Sequence, residues 1–130
     1  MEWKLDDGRP IWQQLAQQLT RRIITGVYPP GSRLPPVREL AADAGVNPNT
    51  MQRALTELER DGLVYSQRTA GRFVTEDKAM IETAKRALAE RHINAFLDAM
   101  TRLGYRREEV VSMLRQEITE GGNGDVSLAV

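Results

Sequence analysis

The stretch of this sequence best equipped for chemistry is Val46-Asn47-Pro48-Asn49-Thr50-Met51-Gln52-Arg53. Asn47 reads as a helix N-cap and Pro48 as the first helical residue. Asn49, Thr50 and Gln52 then stand in the opening turns, with Arg53 one turn along. A helix entering a DNA major groove turns its N-terminal residues to base edges, and its free N–H groups and dipole favour phosphate. Asn and Gln can pair bidentately with adenine, and Arg with guanine. Taken singly, each residue is equally well a solvated polar side chain. Taken together they point to nucleic acid. Arg33 and Arg38 bracket the turn Leu34-Pro35-Pro36. Arg38 suits a phosphate or a guanine, or else an ion pair with Glu39 or an acid on a neighbouring helix. The segment Arg68-Thr69-Ala70-Gly71-Arg72 sets two cations around a small-residue turn. Such a tip can lie along the phosphate backbone or enter the minor groove.

Other chemistries lack their residues. With no cysteine and one histidine in 130 residues, there is no thiol nucleophile, no Cys-type zinc site and little scope for a His-based triad. His92 reads as a helix-face or interface residue, not a metal ligand. The pair Glu108-Glu109 suits the start of a helix, where acids complement the dipole. No Gly-rich phosphate loop is present. The sequence therefore predicts no catalytic residues, no metal and no cofactor.

The elements that must position these residues follow from periodicity. Ile11, Leu15, Ala16, Leu19, Ile23 and Ile24 recur at helical spacing and predict a helix over 10–25. Two prolines and a glycine make 27–31 a turn, and Pro35 biases Leu34 toward extended backbone. A short helix over 36–44 turns Val37, Leu40 and Ala41 inward. After the break at Gly45-Val46, a helix over 48–61 has Met51, Ala54, Leu55 and Leu58 as its inner face. Residues 63–67 and 72–75 have strand character around a short loop, which predicts a hairpin. Two short helices joined by a tight turn and followed by a hairpin make a winged helix-turn-helix.

Beyond Asp77 the pattern changes. Helices are expected over 78–103 and 106–120, separated by Gly104. Two helices cannot bury their own apolar faces, but two copies can build a four-helix unit. Ile81, Leu88, Phe96, Leu103, Val110, Leu114 and Ile118 are therefore expected at a dimer interface, with some serving the protomer's own core. The expected organisation is a winged-helix domain over 1–75, a helical dimerisation module over 76–120 and a loose tail over 121–130. The fold class is mainly α with a small β-hairpin.

The 18 Lys+Arg and 18 Asp+Glu cancel overall. Residues 1–75 hold ten bases against eight acids, a net of +2, and the remainder carries −2. So weak a field requires binding through placed arginines and base contacts more than bulk attraction. The N-terminus shows no apolar stretch of a signal peptide, and no run approaches the roughly 20 residues of a membrane span. A cytoplasmic location without membrane contact is expected.

Several ordered motifs resemble the GntR family of bacterial transcription regulators. They are Pro10-Ile11-Trp12-Gln13-Gln14-Leu15, Gly26 through Pro35, Val37-Arg38-Glu39-Leu40-Ala41 and Val46-Asn47-Pro48-Asn49-Thr50. The match covers roughly 8–75 and continues through Leu58, Asp61-Gly62-Leu63 and Gly71-Arg72-Phe73-Val74. The Asn-Pro-Asn-Thr version, with a short C-terminal part, is most similar to the YtrA subfamily. The resemblance implies a homodimeric repressor on a palindromic double-stranded operator, often of a transporter operon. It implies DNA contacts at Arg33, Arg38, Asn47, Asn49, Thr50, Gln52 and Gly71. The larger effector domains of the family do not fit into 76–130, so a small-molecule effector is left without a site. Pro36 stands where the family has Ser or Ala, which removes an N–H and a hydroxyl. Thr69-Ala70-Gly71-Arg72 replaces the usual Gly-x-Gly-Thr tip, so Arg72 can stand in for a threonine contact. The reading from another class is a winged helix used for protein interaction, whose reading face should be apolar or acidic; Asn49, Thr50, Gln52 and Arg53 are neither.

Overall fold

In the computed structural model residues 2–121 are described. Five α-helices and one hairpin follow in the order α1 Ile11–Ile24, α2 Val37–Ala44, α3 Pro48–Arg60, β1 Val64–Gln67, β2 Gly71–Val74, α4 Lys78–Arg102 and α5 Arg107–Gln116, with a π-helical turn over Glu117–Gly121. The chain divides into two units, one reaching to Ala87 and one starting at Leu88.

The first unit owns the core. Leu15, Leu19 and Ile23 of α1, Leu40 and Ala41 of α2, and Met51, Leu55 and Leu58 of α3 are buried with Leu34, Leu63, Val64 and Val74. These are the inward positions that the 3.6-residue period predicts. Each of these side chains larger than alanine contributes about 1.5–3 kcal/mol by leaving water. The short helix α2 ends at Gly45, whose φ of 71° is left-handed and lets its N–H close on Ala42. That turn swings the chain into α3.

The hairpin pairs Val64 with Val74, Tyr65 with Phe73, Ser66 with Arg72 and Gln67 with Gly71. Arg33 bridges to Phe73, and the Leu34 N–H donates to the Arg72 carbonyl at 2.9 Å. The extended backbone expected at Leu34 is thus part of a third rung on the outer strand. Tyr65 and Phe73 stack with ring centres 5.8 Å apart.

Residues 2–9, to which the periodicity assigned no element, are held as an arm along α1. Gln18 and Lys4 exchange two hydrogen bonds, the side-chain amide against the backbone. Gln14 does the same with Asp6 and also donates to the Arg9 carbonyl. Buried Arg22 donates to the Glu2 carbonyl and lies 3.8 Å from the centre of the Trp3 ring. Residues 14, 18 and 22 are one row at i, i+4 and i+8. The Trp3 indole N–H then reaches Asp43 of α2 at 2.8 Å. That bond is the main cause that holds the Asp43 carboxyl below its ordinary pKa.

The boundary of the first unit differs from the expected residue 75. Ile81 and Ala84, on the first turns of α4, pack against the core cluster. Ile81, grouped by sequence with the dimer residues, thus already serves the winged-helix core.

The second unit contains the rest of α4, then α5 and the π-helical turn. Gly104 closes on Thr101, and the Arg106 N–H donates to Glu109 at 2.7 Å, so the paired glutamates do open α5. Leu88 and Val110 are buried, at 8% and 2% exposure. Already shielded within the protomer, they offer a partner less surface than the sequence pattern suggested. Phe96, Leu103, Leu114 and Ile118 are exposed. The expected tail lies, beyond Gly121, outside the described residues.

Candidate nucleic-acid interface

Helix α3 is built to show its N-terminal half. Asn47 Oδ1 accepts the Asn49 N–H at 2.7 Å, and Pro48 occupies the first turn. Asn47 therefore works as the cap. Met51, Ala54, Leu55 and Leu58 anchor the inner side. Asn49, Gln52 and Arg53 are exposed and Thr50 is half-buried. With both the cap and the core satisfied, these side chains are free of structural duties inside the helix.

One of them has a partner that the sequence did not reveal. The Arg53 guanidinium lies 4.2 Å from the centre of the Trp12 ring, near the start of α1. Stacking of this kind contributes about 0.5–1 kcal/mol at an exposed site and narrows the directions available to the arginine. The Trp12–Arg53 pair lies 41 positions apart in sequence, so local spacing gave no signal.

A second cluster forms where the segment 33–37 meets the hairpin. Arg33, Leu34, Pro35, Pro36, Val37, Gly71 and Arg72 line a cavity of about 160 Å³. Gly71 has a φ of +103°, and a Cβ there would sit 3.0 Å from Arg33 Nε. The backbone angle favours glycine at Gly71, and the Arg33 guanidinium lies close against it. The start of α2 lines the same cavity. Pro36 offers no side-chain cap, so first-turn N–H groups of α2 lack the partner that a cap supplies. Arg38, in that first turn, is exposed, and no described residue forms a hydrogen bond or ion pair with it. The ion pair with Glu39 that the sequence allowed does not form.

The two wing arginines behave differently. Arg68 is exposed, with no ion pair among the described residues. Arg72 is turned inward: its Nε donates to Glu59 at 2.9 Å, and its side chain is only 17% exposed. Glu59 also accepts the Ser66 hydroxyl at 2.9 Å. Partial burial works to raise the Glu59 pKa, but the hydrogen bonds from Arg72 and Ser66 and the Arg72 charge outweigh it and hold the carboxyl below its ordinary range. Glu59 lies near the end of α3, seven and thirteen positions from these partners, so local spacing gave no signal. The loop tip carries Thr69 with a φ of 71°, an uncommon angle for a β-branched residue.

No group of three or more potential metal ligands occurs among the described residues, and none of their helices is long and apolar enough to cross a membrane.

Comparison with known proteins agrees with this architecture. The family model for bacterial regulatory proteins of the gntR family matches residues 11–74. An HTH-type transcriptional regulator of Bacillus subtilis, YhcF, is 35% identical over 122 residues, covering 94% of this chain and all of its own length. The HTH-type transcriptional repressor YtrA of the same organism is 41% identical over 68 residues, about half of each chain. A GntR family transcriptional regulator from Listeria monocytogenes superposes with a TM-score of 0.78 at 37% identity, covering 86% of this chain and 98% of that one. These relatives are regulators and not enzymes. With a winged helix-turn-helix in place and a relative aligned along its whole length, the chain belongs to the GntR family of transcriptional regulators.

Proposed function

We propose that this chain is a cytoplasmic repressor that binds a palindromic operator as a homodimer and recognises sequence with α3. The observation that carries the reading is the exposed row Asn49, Gln52 and Arg53 on a helix whose opposite side is locked in the core. Thr50 and Asn47 complete the opening turn. Asn and Gln would read adenine and Arg53 guanine. Arg33 and Arg38, with the start of α2, would hold phosphate beside the cavity. Gly71 shapes that site, and Arg68 would follow the backbone or minor groove from the wing. Control of a transporter operon is the finer assignment that the subfamily resemblance implies, and the similarity to a protein described as a transcriptional repressor supports the repressor part of the reading.

Dimerisation is supported by the second unit taken alone. Ile93, Phe96, Leu103, Tyr105, Val111, Met113, Leu114 and Ile118 are exposed there, with Leu103 at 73%. So many large apolar groups in one short segment mark an interaction surface. A second copy supplies the matching apolar surface by symmetry, giving two α3 helices for two half-sites about one DNA turn apart.

The test is binding to DNA selected from a random pool. A palindromic consensus is expected, with affinity that falls steeply with salt. Absence of a shift at low salt would remove the reading and favour a protein-interaction module. Arg38→Ala should cost about 1–3 kcal/mol of operator affinity while the protein remains a folded dimer. Unchanged binding would make Arg38 a bystander.

A further inference from the structure

We propose that Glu59 positions the wing against the recognition helix and that Arg72 acts through Glu59, not by touching DNA. This rests on reading the hairpin as a DNA-contacting wing. Ser66 and Arg72 are directly opposite each other in the hairpin register. Each gives one hydrogen bond to a different oxygen of the same carboxylate, Ser66 Oγ to Oε2 and Arg72 Nε to Oε1, both at 2.9 Å. That carboxylate belongs to the last turn of α3. One side chain of the recognition helix therefore grips both strands of the wing.

The alternation of the strands explains why a polar clamp is used here. On the face shared with Ser66 and Arg72, the preceding pair is Val64 and Val74, both buried in the core. Two positions further out the hairpin leaves the apolar core, and a free end of two four-residue strands is marginal in water. Tyr65 and Phe73 stack on the opposite face and do not reach α3 through this side. Glu59 supplies the missing attachment. Arg72 is the chain's departure from the threonine usual at this place in the family, and a longer cationic side chain can reach a carboxylate on a neighbouring helix. The clamp uses its guanidinium, whereas Arg68 at the tip stays exposed.

The clamp and simple electrostatics predict opposite signs. Removing an acid near a phosphate backbone should strengthen DNA binding, and should release Arg72 to help. If Glu59 positions the wing, removing it weakens binding. The full chain is titrated with its selected operator at several salt concentrations as wild type, Glu59→Ala, Arg72→Ala, the double variant and Arg68→Ala. Glu59→Ala and Arg72→Ala should each weaken binding about tenfold, and the double variant should be no weaker than either. The salt slope should stay constant in Arg72→Ala and fall by about one in Arg68→Ala. Equal or tighter binding by Glu59→Ala, or a slope lowered by about one in Arg72→Ala, overturns the proposal. Amide hydrogen exchange of the free protein decides the clamp even if no DNA binds. Hairpin amides should exchange faster in both single variants while α3 core amides do not. Unchanged hairpin exchange overturns it.

Discussion

The two units of this chain spend their apolar residues in opposite ways. In the first, α1, α2, α3 and the hairpin enclose a shared core, and polar residues project from the exposed side of α3, whose other side is fixed in that core. In the second, among the described residues, Leu88 and Val110 are the large apolar side chains that are buried, and eight others stand exposed. The sequence periodicity is helical in both. The difference is tertiary: three crossing helices and a hairpin close a core in the first unit, whereas the described helices of the second leave most of their large apolar side chains exposed. A unit with a closed core can fold from its own contacts. A unit with an open apolar face has its stability tied to a partner and so to concentration.

The contrast can be broken most sharply at the open face. If the chain is the proposed homodimer, Phe96→Glu should convert it to a monomer in sedimentation experiments and lower affinity for the selected DNA by about 10²–10⁴, because linkage of the proposed half-sites is lost. The first unit should keep its hydrogen-exchange protection. A variant that stays dimeric would place the interface elsewhere. The converse change is Leu55→Ala, at a residue 1% exposed. It should cost about 2–5 kcal/mol in denaturant unfolding. A smaller loss would mean that the core collapses around the gap.

Next comes the arm. Trp3→Ala removes the stacking on Arg22 and the bond to Asp43 and should cost about 1–2 kcal/mol by the same measurement. A neutral outcome would show the arm to be dispensable to the first unit. At the wing tip, Thr69→Gly relieves a left-handed backbone angle and should stabilise by about 1 kcal/mol. No gain in melting temperature would show that the tip is unstrained in solution.

The smallest expected effect concerns acid. The folded-state pKa of Glu59 is depressed, so its contribution is full above the ordinary glutamate range. It is lost as pH falls through the lowered folded value. Denaturation of wild type and Glu59→Gln across that acid range checks this, since the difference between them should shrink as pH falls. A difference independent of pH would mean that the charge of Glu59 adds nothing to the clamp.

Much of the fold was legible because local rules and global packing agreed. Asn47-Pro48 started α3 where an N-cap and a proline must, and the four apolar residues of its inner face lie buried as their spacing predicted. The Leu34-Pro35 pair became an extended rung for the reason proline imposes on its neighbour. Three features escaped. The arm has no periodicity to detect, since its order comes from side-chain amides of α1 bonding its backbone. The Trp12–Arg53 stack joins helices that cross only in three dimensions. Glu59 has no local partner that its spacing would point to, and only the hairpin register brings Ser66 and Arg72 to it.

By itself, then, the sequence determined which helices exist, which sides they bury and which polar residues lead α3, because turn chemistry and apolar period act over a few residues. Tertiary structure decided which cations stay available. Arg38 and Arg68 remain unpaired among the described residues, Arg53 is steered by an aromatic ring, and Arg72 is held by a carboxylate. An arginine side chain reaches far enough to choose among partners distant in sequence, and its choice depends on which acid or ring the packed elements bring within a few ångströms.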